Sequence, residues 1–578
     1  MEPPPEDLGG PLAKCNKFEE CTPLLNVEEV LSWKPDKCSW KIRPLSSRTP
    51  CSSVGTSQYC HQTQWRPTKL YDRHTVPRTL VCHDMKGGYL DDRFVHGSEK
   101  HTDYRFFHWA GIDMFVYFSH KFVTIAPPVW VNAAHLHGVL ILGTIITECD
   151  TGKKILEEYL HSSQEVRVKF IQQLVQISKY SGMDGWLINI ENKVNQEDVR
   201  TLHEFVADLT KAMHKEILHS QVIWYDSVIK EGKLKWQNEL NEENKMFFDV
   251  CDGIFLNYVW KEEGLARSVK LAGVRALDVY VGVDIFGRNC YGGGGFNTSA
   301  VIMIAVEKAR AHDMSVALFA PGWVHECWAQ EKFTPLEYTF WRKLWPLLHI
   351  HGPSEFPFET SFCQGYGKKS YDHGKVKSDQ PWHNLSLQMP QPCLPICVED
   401  VCDLPGGDAE NKPEIKMIKF SGCVRHWSKD AYHGGGCLLL KRPQNIQAFG
   451  QIIFHKLFLC SLEVGPTDSL RVYYAVKSPK EDKVCPQDLA LGILCQDKEG
   501  GHLKDEYFGS VNGLAIRENT VELIKDEYDE ETGWTLRQYL LAPKKRYYKV
   551  TEISLILGCS ATEVLLGWIS ISPPKYFQ

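Results

Sequence analysis

From Met114 onward the chain alternates short apolar runs with longer stretches in which apolar residues recur every three or four positions. The short runs are Met114 to Ser119, Val139 to Ile146, Gly185 to Glu191, Gln221 to Asp226, Gly253 to Val259, Asp278 to Asp284, Ser315 to Ala320 and Phe356 to Phe362. They read as near-continuous apolar segments rather than strict alternation, as parallel strands covered by helices do. Between them, Val166, Phe170, Ile171, Leu174 and Ile177 form one helical stripe, and Val199, Leu202, Phe205, Val206, Leu209 and Met213 form the next. Ser162 and Glu165 have capping-box spacing ahead of the first stripe, and residues 298–311 and 337–348 supply later helices. Eight strand-then-helix units over roughly 250 residues predict an α/β fold, a closed (β/α)8 TIM barrel. An open doubly wound sheet would need a glycine fingerprint after its first strand, and none is present.

The flanks have a different texture. Residues 1–90 are rich in Pro, Ser, Thr and Cys with little periodicity, and are expected to form an irregular, partly disordered N-terminal extension. The barrel is then expected over 91–370. Beyond Gly367 long helical stripes give way to strand-like runs at Cys437 to Leu440, Ile452 to Leu459, Leu470 to Val476, Val550 to Leu557 and Val564 to Ile571. With an inserted Pro- and Gly-rich loop near 386–413, they predict a β-sandwich-like accessory region over 371–578.

Bulk properties narrow the function. At 578 residues the chain is long enough for a large catalytic module with additions. A net charge of -7 with no long basic stripe argues against nucleic acid as a partner. The N-terminus has neither a basic nor an apolar leader segment, and no apolar run reaches about 18 residues, so we expect no membrane insertion and a cytoplasmic location. In that compartment the 20 Cys are expected as free thiols. Their close pairs, Cys15 with Cys21, Cys51 with Cys60 and Cys397 with Cys402, lack the spacing of a zinc site. No metal or other cofactor is expected. The 17 Trp, 23 Tyr and 26 Phe suit both core packing and sugar faces.

The sharpest chemical signal is Asp184-Gly185-Trp186-Leu187-Ile188-Asn189-Ile190-Glu191, an apolar strand that turns polar at its C-terminal end. In a barrel that end forms the active face. Residues two apart on a strand share a face, so Asn189 and Glu191 approach one ligand from the same side. Glu191 can serve as a general acid and then a base if burial keeps its pKa near neutrality. Asn189 cannot be a carboxylate nucleophile, but it can orient a substrate 2-acetamido group whose carbonyl attacks C1. Tyr225 closes the fourth predicted strand and can donate its hydroxyl to the same group. Asn257, Tyr258 and Trp260 end the fifth strand, Trp323 follows the seventh, and Trp236 lies after the fourth, all as candidate sugar contacts. Gly287 and Gly292 to Gly295 form a loop without the Lys-Ser/Thr ending of a phosphate site. Asp113 and Asp284 read equally well as structural or cleft-facing.

Together with Trp224-Tyr225-Asp226-Ser227, Gln237-Asn238-Glu239-Leu240-Asn241, Phe255-Leu256-Asn257-Tyr258 and Phe358-Glu359-Thr360-Ser361-Phe362, the Asp184–Glu191 segment resembles glycoside hydrolase family 85. The resemblance runs from about Phe106 to Gly367, with a weaker match in the tail at Trp427 and Tyr432-His433-Gly434-Gly435-Gly436. It implies a retaining, substrate-assisted endo-β-N-acetylglucosaminidase acting on the chitobiose core of N-glycans and free oligosaccharides, able to transfer the released glycan. Glu191 would be the acid/base, Asn189 the acetamido-orienting residue, Tyr225 its helper, and Trp236 a contact on the acceptor side. The resemblance also leads us to expect a further β-rich portion after Gln578. Two readings compete with this one. A carbohydrate-binding barrel without strong catalysis would use the same aromatics, and a metal hydrolase would need ligands such as His120, His135 and His137, which lie near early strands.

Overall fold

The computed structural model describes residues 19–35, 40–50, 76–290, 293–298, 314–393, 424–442, 452–479, 485–497, 505–511, 520–558 and 560–574, together with Gly501 and Leu503. Eight parallel strands close on one another: β1 (Thr79–Asp84), β2 (Met114–Phe118), β3 (Leu140–Glu148), β4 (Gly185–Glu191), β5 (Gln221–Tyr225), β6 (Gly253–Phe255), β7 (Val279–Asp284) and β8 (Ser315–Phe319). Each pairs with the next, and β8 returns to β1 through Val316↔Thr79 to Phe319↔Cys82.

Seven of these match the predicted runs. The eighth does not. The barrel's first strand comes from the stretch read as an irregular extension, while Phe358–Thr360 pairs antiparallel with Glu563–Ser572 in another sheet. The physical reason shows in the side chains. Phe358 and Thr360 are buried and Glu359 is exposed, the period-two pattern of an antiparallel strand with one wet face. By contrast, Thr79 to His83 are buried throughout.

Alternation sorts each barrel strand into two files. Leu80, Cys82, Val116, Phe118, Leu142, Ile146, Leu187, Ile223, Tyr225 and Ala317 pack together in the barrel interior. Val81, Phe115, Ile141, Trp186, Ile188 and Val222 belong to the larger core outside, shared with the helices. Truncating an interior leucine such as Leu187 to alanine would cost about 2–5 kcal/mol. Gly185 starts β4 with φ 154°, and a Cβ there would lie 1.8 Å from the Gln221 carbonyl oxygen, so only glycine admits the close approach of β5.

The helix Gln164–Ser181 follows the predicted stripe, but its N-cap is Ser163, one residue beyond the predicted Ser162. The Ser163 side chain accepts from the Val166 amide, and Gly182 at φ 74° ends the helix. The second stripe is the helix Val199–Glu216, and the predicted 337–348 segment is realised as Phe333–Leu344. Residues 299–311 of another predicted helix lie outside the described residues.

The lower rim is tied by carboxylates that immediately precede strands. Asp113 accepts the Thr79 amide at 2.8 Å, Asp184 the Ile141 amide at 2.8 Å, and Asp252 the Val222 amide at 2.7 Å. Each therefore joins its own strand to the start of a neighbour. His135, a candidate metal ligand by sequence, donates here to Asp184 at 2.9 Å, and the half-buried His137 lies against the Ala133 carbonyl at 2.7 Å.

After the barrel the chain forms two antiparallel sheets of sandwich type. The larger runs Val424–Trp427, Cys437–Lys441, Glu563–Ser572, Leu470–Lys477, Trp534–Leu541 and Val521–Tyr528, with Phe358–Thr360 also on Glu563–Ser572. The smaller runs Ile453–Val464, Tyr548–Leu557, Leu489–Gln496 and Glu506–Ser510. Of the noted cysteine pairs, Cys21 is a free thiol; Cys15, Cys51, Cys60, Cys397 and Cys402 lie outside the described residues. Among the described residues no helix is long and apolar enough to cross a membrane.

Candidate active site

At the upper ends of the strands the inward files change from apolar to polar. Leu187 leads to Asn189 and Glu191, Ile146 to Glu148, Cys82 to Asp84, and Phe118 to His120. These residues line one cavity of about 340 Å³, with Tyr225, Phe255, Tyr258, Arg288 and Phe319 completing the wall. Asn189 Nδ2 donates to Glu191 Oε1 at 3.2 Å, so the predicted same-face pair is in contact. Burial raises the Glu191 pKa above the ordinary carboxyl value; the Asn189 amide opposes this and nearby Glu148 adds to it. A carboxyl whose pKa is raised in this way holds its proton more firmly than a free one, the direction a general acid needs.

His120, Asp84 and Glu148 form a charged group beside Glu191. Asp84 lies 3.8 Å from His120 Nε2 and Glu148 3.0 Å from Nδ1, and they hold the imidazole pKa up to about 9. His120 is therefore cationic at neutral pH. Glu148 and Glu191 are in-register partners across β3 and β4, about 4.8 Å apart at the backbone. Sequence reasoning passed over both acids. Asp84 sat in the unrecognised β1, and Glu148 lay just beyond a run ended at Ile146.

Tyr225 donates its hydroxyl to Asn257 Oδ1 at 3.0 Å. Asn257 in turn donates to Asn238 Oδ1 at 2.8 Å. Asp226 accepts the Gln237 and Asn238 amides at 3.0 and 2.7 Å and the Asn244 side chain at 2.9 Å. The loop after β5 is thus pinned from beneath, and Tyr225 and Asn257 are oriented through it. Trp236 rides on that loop, 39% exposed. Trp260 is different: it is 3% exposed and donates its indole N–H to the Gly282 carbonyl at 2.8 Å, away from the cavity lining. Trp323 is half-buried in a cluster with Phe296 at 5.4 Å and Trp328 at 6.3 Å, also outside the lining. Asp284 is fully buried, pairs with Arg288 at 2.9 Å and accepts the Phe286 and Arg288 amides, so it braces the glycine-rich turn while Arg288 reaches the cavity.

Residues 89–370 match the family model for glycosyl hydrolase family 85. The chain is 40% identical over 485 residues to the cytosolic endo-beta-N-acetylglucosaminidase of Homo sapiens, an alignment that covers 83% of this chain and 59% of that protein. The chain belongs to this family. The protein of the same name from Danio rerio is 43% identical over 424 residues, covering 72% of this chain and 54% of the relative. The family member described here therefore spans little more than half the length of these curated relatives. The glycoside hydrolase domain of Endo-D from Streptococcus pneumoniae superposes with a TM-score of 0.69 at 17% identity, covering 96% of this chain and 83% of that one, and shares the fold.

Proposed function

We propose that this chain is an endo-β-N-acetylglucosaminidase that hydrolyses the GlcNAc-β1,4-GlcNAc bond in the chitobiose core of N-glycans and free oligosaccharides. The reading rests most heavily on one observation: a half-buried Glu191, its pKa raised by desolvation, touched by the Asn189 amide inside a barrel-mouth cavity. Membership of the family and the names of the relatives support it. Those names also carry the cytosolic location that we assign to the chain.

In this mechanism Glu191 protonates the leaving oxygen as the substrate acetamido carbonyl oxygen attacks C1, closing an N-protonated oxazoline (oxazolinium) ring with inversion, its charge balanced by the Glu191 carboxylate. Glu191, now a carboxylate, takes a proton from water or from an acceptor hydroxyl. That oxygen opens the oxazoline at C1, and the net result is retention. Asn189 holds the acetamido group for attack, and Tyr225 turns its single hydroxyl proton from Asn257 to the same group when the sugar binds. Tyr258 contacts the sugar in the cavity and Trp236 lies on the acceptor side.

Glu148 gives a second reading a foothold, because an in-register carboxylate beside Glu191 is also the arrangement of a two-carboxylate retaining enzyme. One paired experiment separates them. Asn189→Ala should lose hydrolysis of intact glycan yet still transfer from a preformed sugar oxazoline to a GlcNAc acceptor, since the preformed intermediate bypasses the step that Asn189 assists. Equal loss of both activities, or a glycan trapped covalently on Glu148, would overturn the substrate-assisted mechanism. A glycan that stays intact with the wild-type chain, by mass analysis, would instead favour a binding protein.

A further inference from the structure

Two segments that carry the family resemblance, Phe358–Phe362 and Tyr432–Gly436, take no part in the barrel mouth. They meet at a second cavity of about 570 Å³, whose wall includes Glu359, Ser361, Asp372, His433 and Trp568. The Tyr432–Gly436 loop lies against the hairpin formed by Ser370–Asp372 and Lys375–Ser378. Tyr371 and Gly434 exchange backbone hydrogen bonds of 2.9 and 3.0 Å, and the Gly374 amide donates to the Tyr432 carbonyl at 2.8 Å. Glycine is required at the contact. Gly434 has φ 77°, and a Cβ on Gly435 would lie 1.9 Å from the Tyr366 carbonyl oxygen. That close approach sets His433 against the hairpin turn at Asp372 and His373, from a distant part of the sequence.

Three donor atoms converge there. Asp372 Oδ1 is 2.8 Å from His373 Nδ1 and 3.1 Å from His433 Nδ1, and one ligand atom from each residue lies within 4.8 Å of the others. We propose that Asp372, His373 and His433 bind a divalent transition-metal ion of the zinc type. A tetrahedral zinc with bonds of about 2.0–2.1 Å spaces its donors roughly 3.3 Å apart, so the cluster needs only small side-chain movements to accept one. Two imidazoles and a carboxylate favour zinc over magnesium or calcium, which prefer all-oxygen sets. With three protein ligands the fourth position stays open, and because Asp372 and His433 both line the cavity, that position opens toward it. Trp568 packs beside His433 with ring centroids 5.8 Å apart and donates to Glu359 at 2.9 Å, which fixes the opposite wall. Lys377 Nζ lies 3.2 Å from Asp372 Oδ2, the oxygen the imidazoles leave unused, and its charge opposes that of the ion. The site is built on the tethering of hairpin and loop and is independent of the glycosidase reading.

The test uses the full chain with accessible thiols alkylated, titrated with Zn²⁺ in competition with a chromophoric chelator and with Co²⁺ as a spectroscopic probe. Wild type should bind one ion with a Co²⁺ spectrum free of thiolate bands. His373→Ala, at a side chain 68% exposed and so safe for folding, should weaken that binding at least ~10-fold. Lys377→Ala should strengthen it about five-fold by removing an opposing charge. No bound ion in the wild type, equal affinity in the wild type and H373A, or weaker binding by K377A would overturn the proposal.

Discussion

The two rims of the barrel carry the same residue types and put them to opposite use. On the lower rim Asp184 is buried, and burial alone would raise its pKa. Hydrogen bonds from His135 at 2.9 Å and His219 at 2.7 Å, with the Ile141 amide, outweigh that and hold it below the usual carboxylate value. On the upper rim Glu191 is half-buried, and what it receives from Asn189 does not offset the cost of desolvation, so its pKa stays raised. Burial by itself does not mark a reactive acid. What decides is whether the protein fills the carboxylate's acceptor positions with its own donors or leaves the group facing a cavity.

The strongest challenge to that contrast is Glu191→Gln. If the upper-rim acid does proton transfer, hydrolysis should fall ~10²–10⁴-fold while glycan binding persists, measured by turnover and by calorimetry on the same preparation. Near-wild-type turnover would remove Glu191 from its role.

Asp184→Ala is the lower-rim counterpart. Removing one member of a buried, bonded group should cost about 3–5 kcal/mol of stability by chemical denaturation, with turnover per folded molecule within about two-fold of wild type. A specific loss of turnover in folded protein would erase the distinction between the rims. The wild type adds a pH signature. Because Asp184 is depressed in the folded state, its stabilising contribution is complete above the unfolded value of about 3.9 and is lost as pH falls through the folded value. The mutant should lack that acid-side component.

Smaller but more diagnostic are the neighbours of Glu191. Acid catalysis needs Glu191 protonated, so activity declines as pH rises through its pKa. Glu148 pushes that pKa up and His120 pushes it down. The alkaline limb should therefore move to lower pH in Glu148→Gln and to higher pH in His120→Ala, each by ~1 unit or less. Shifts in the same direction would show that both residues act only through structure.

The smallest expected effect belongs to Trp260→Phe. Losing one buried indole-to-carbonyl bond should cost about 1 kcal/mol in unfolding free energy and leave KM for glycan unchanged. A large rise in KM would return Trp260 to the substrate cleft.

How much of this was legible follows the same physics. β2 to β8 announced themselves because strands covered on both faces are continuously apolar, and Asn189-x-Glu191 was readable because period two is a property of any strand. β1 was hidden, since Thr79–Asp84 abuts a Pro- and Ser-rich stretch without periodicity and no helical stripe precedes it. Its stand-in, Phe356 to Phe362, carried the alternation that should have assigned it to an antiparallel sheet. The His120, Asp84 and Glu148 group was invisible because its members come from three separate strand ends. Trp260 and Trp323 misled for the reverse reason: a tryptophan near a strand end satisfies a core as readily as a sugar, and only the partner of its N–H or the rings around it tell which.

The strand Glu563–Ser572 gives the chain an order of assembly. It lies between Cys437–Lys441 and Leu470–Lys477 and also receives Phe358–Thr360 from just behind the barrel. A ribosome delivers all three neighbours long before the strand that joins them. Until the residues near Ser572 emerge, the nascent chain carries open sheet edges next to a barrel whose own strands are already complete. A chaperone that reads exposed strand edges would find this protein during that interval, and a message cut short before codon 563 would leave the barrel attached to a sheet without its middle.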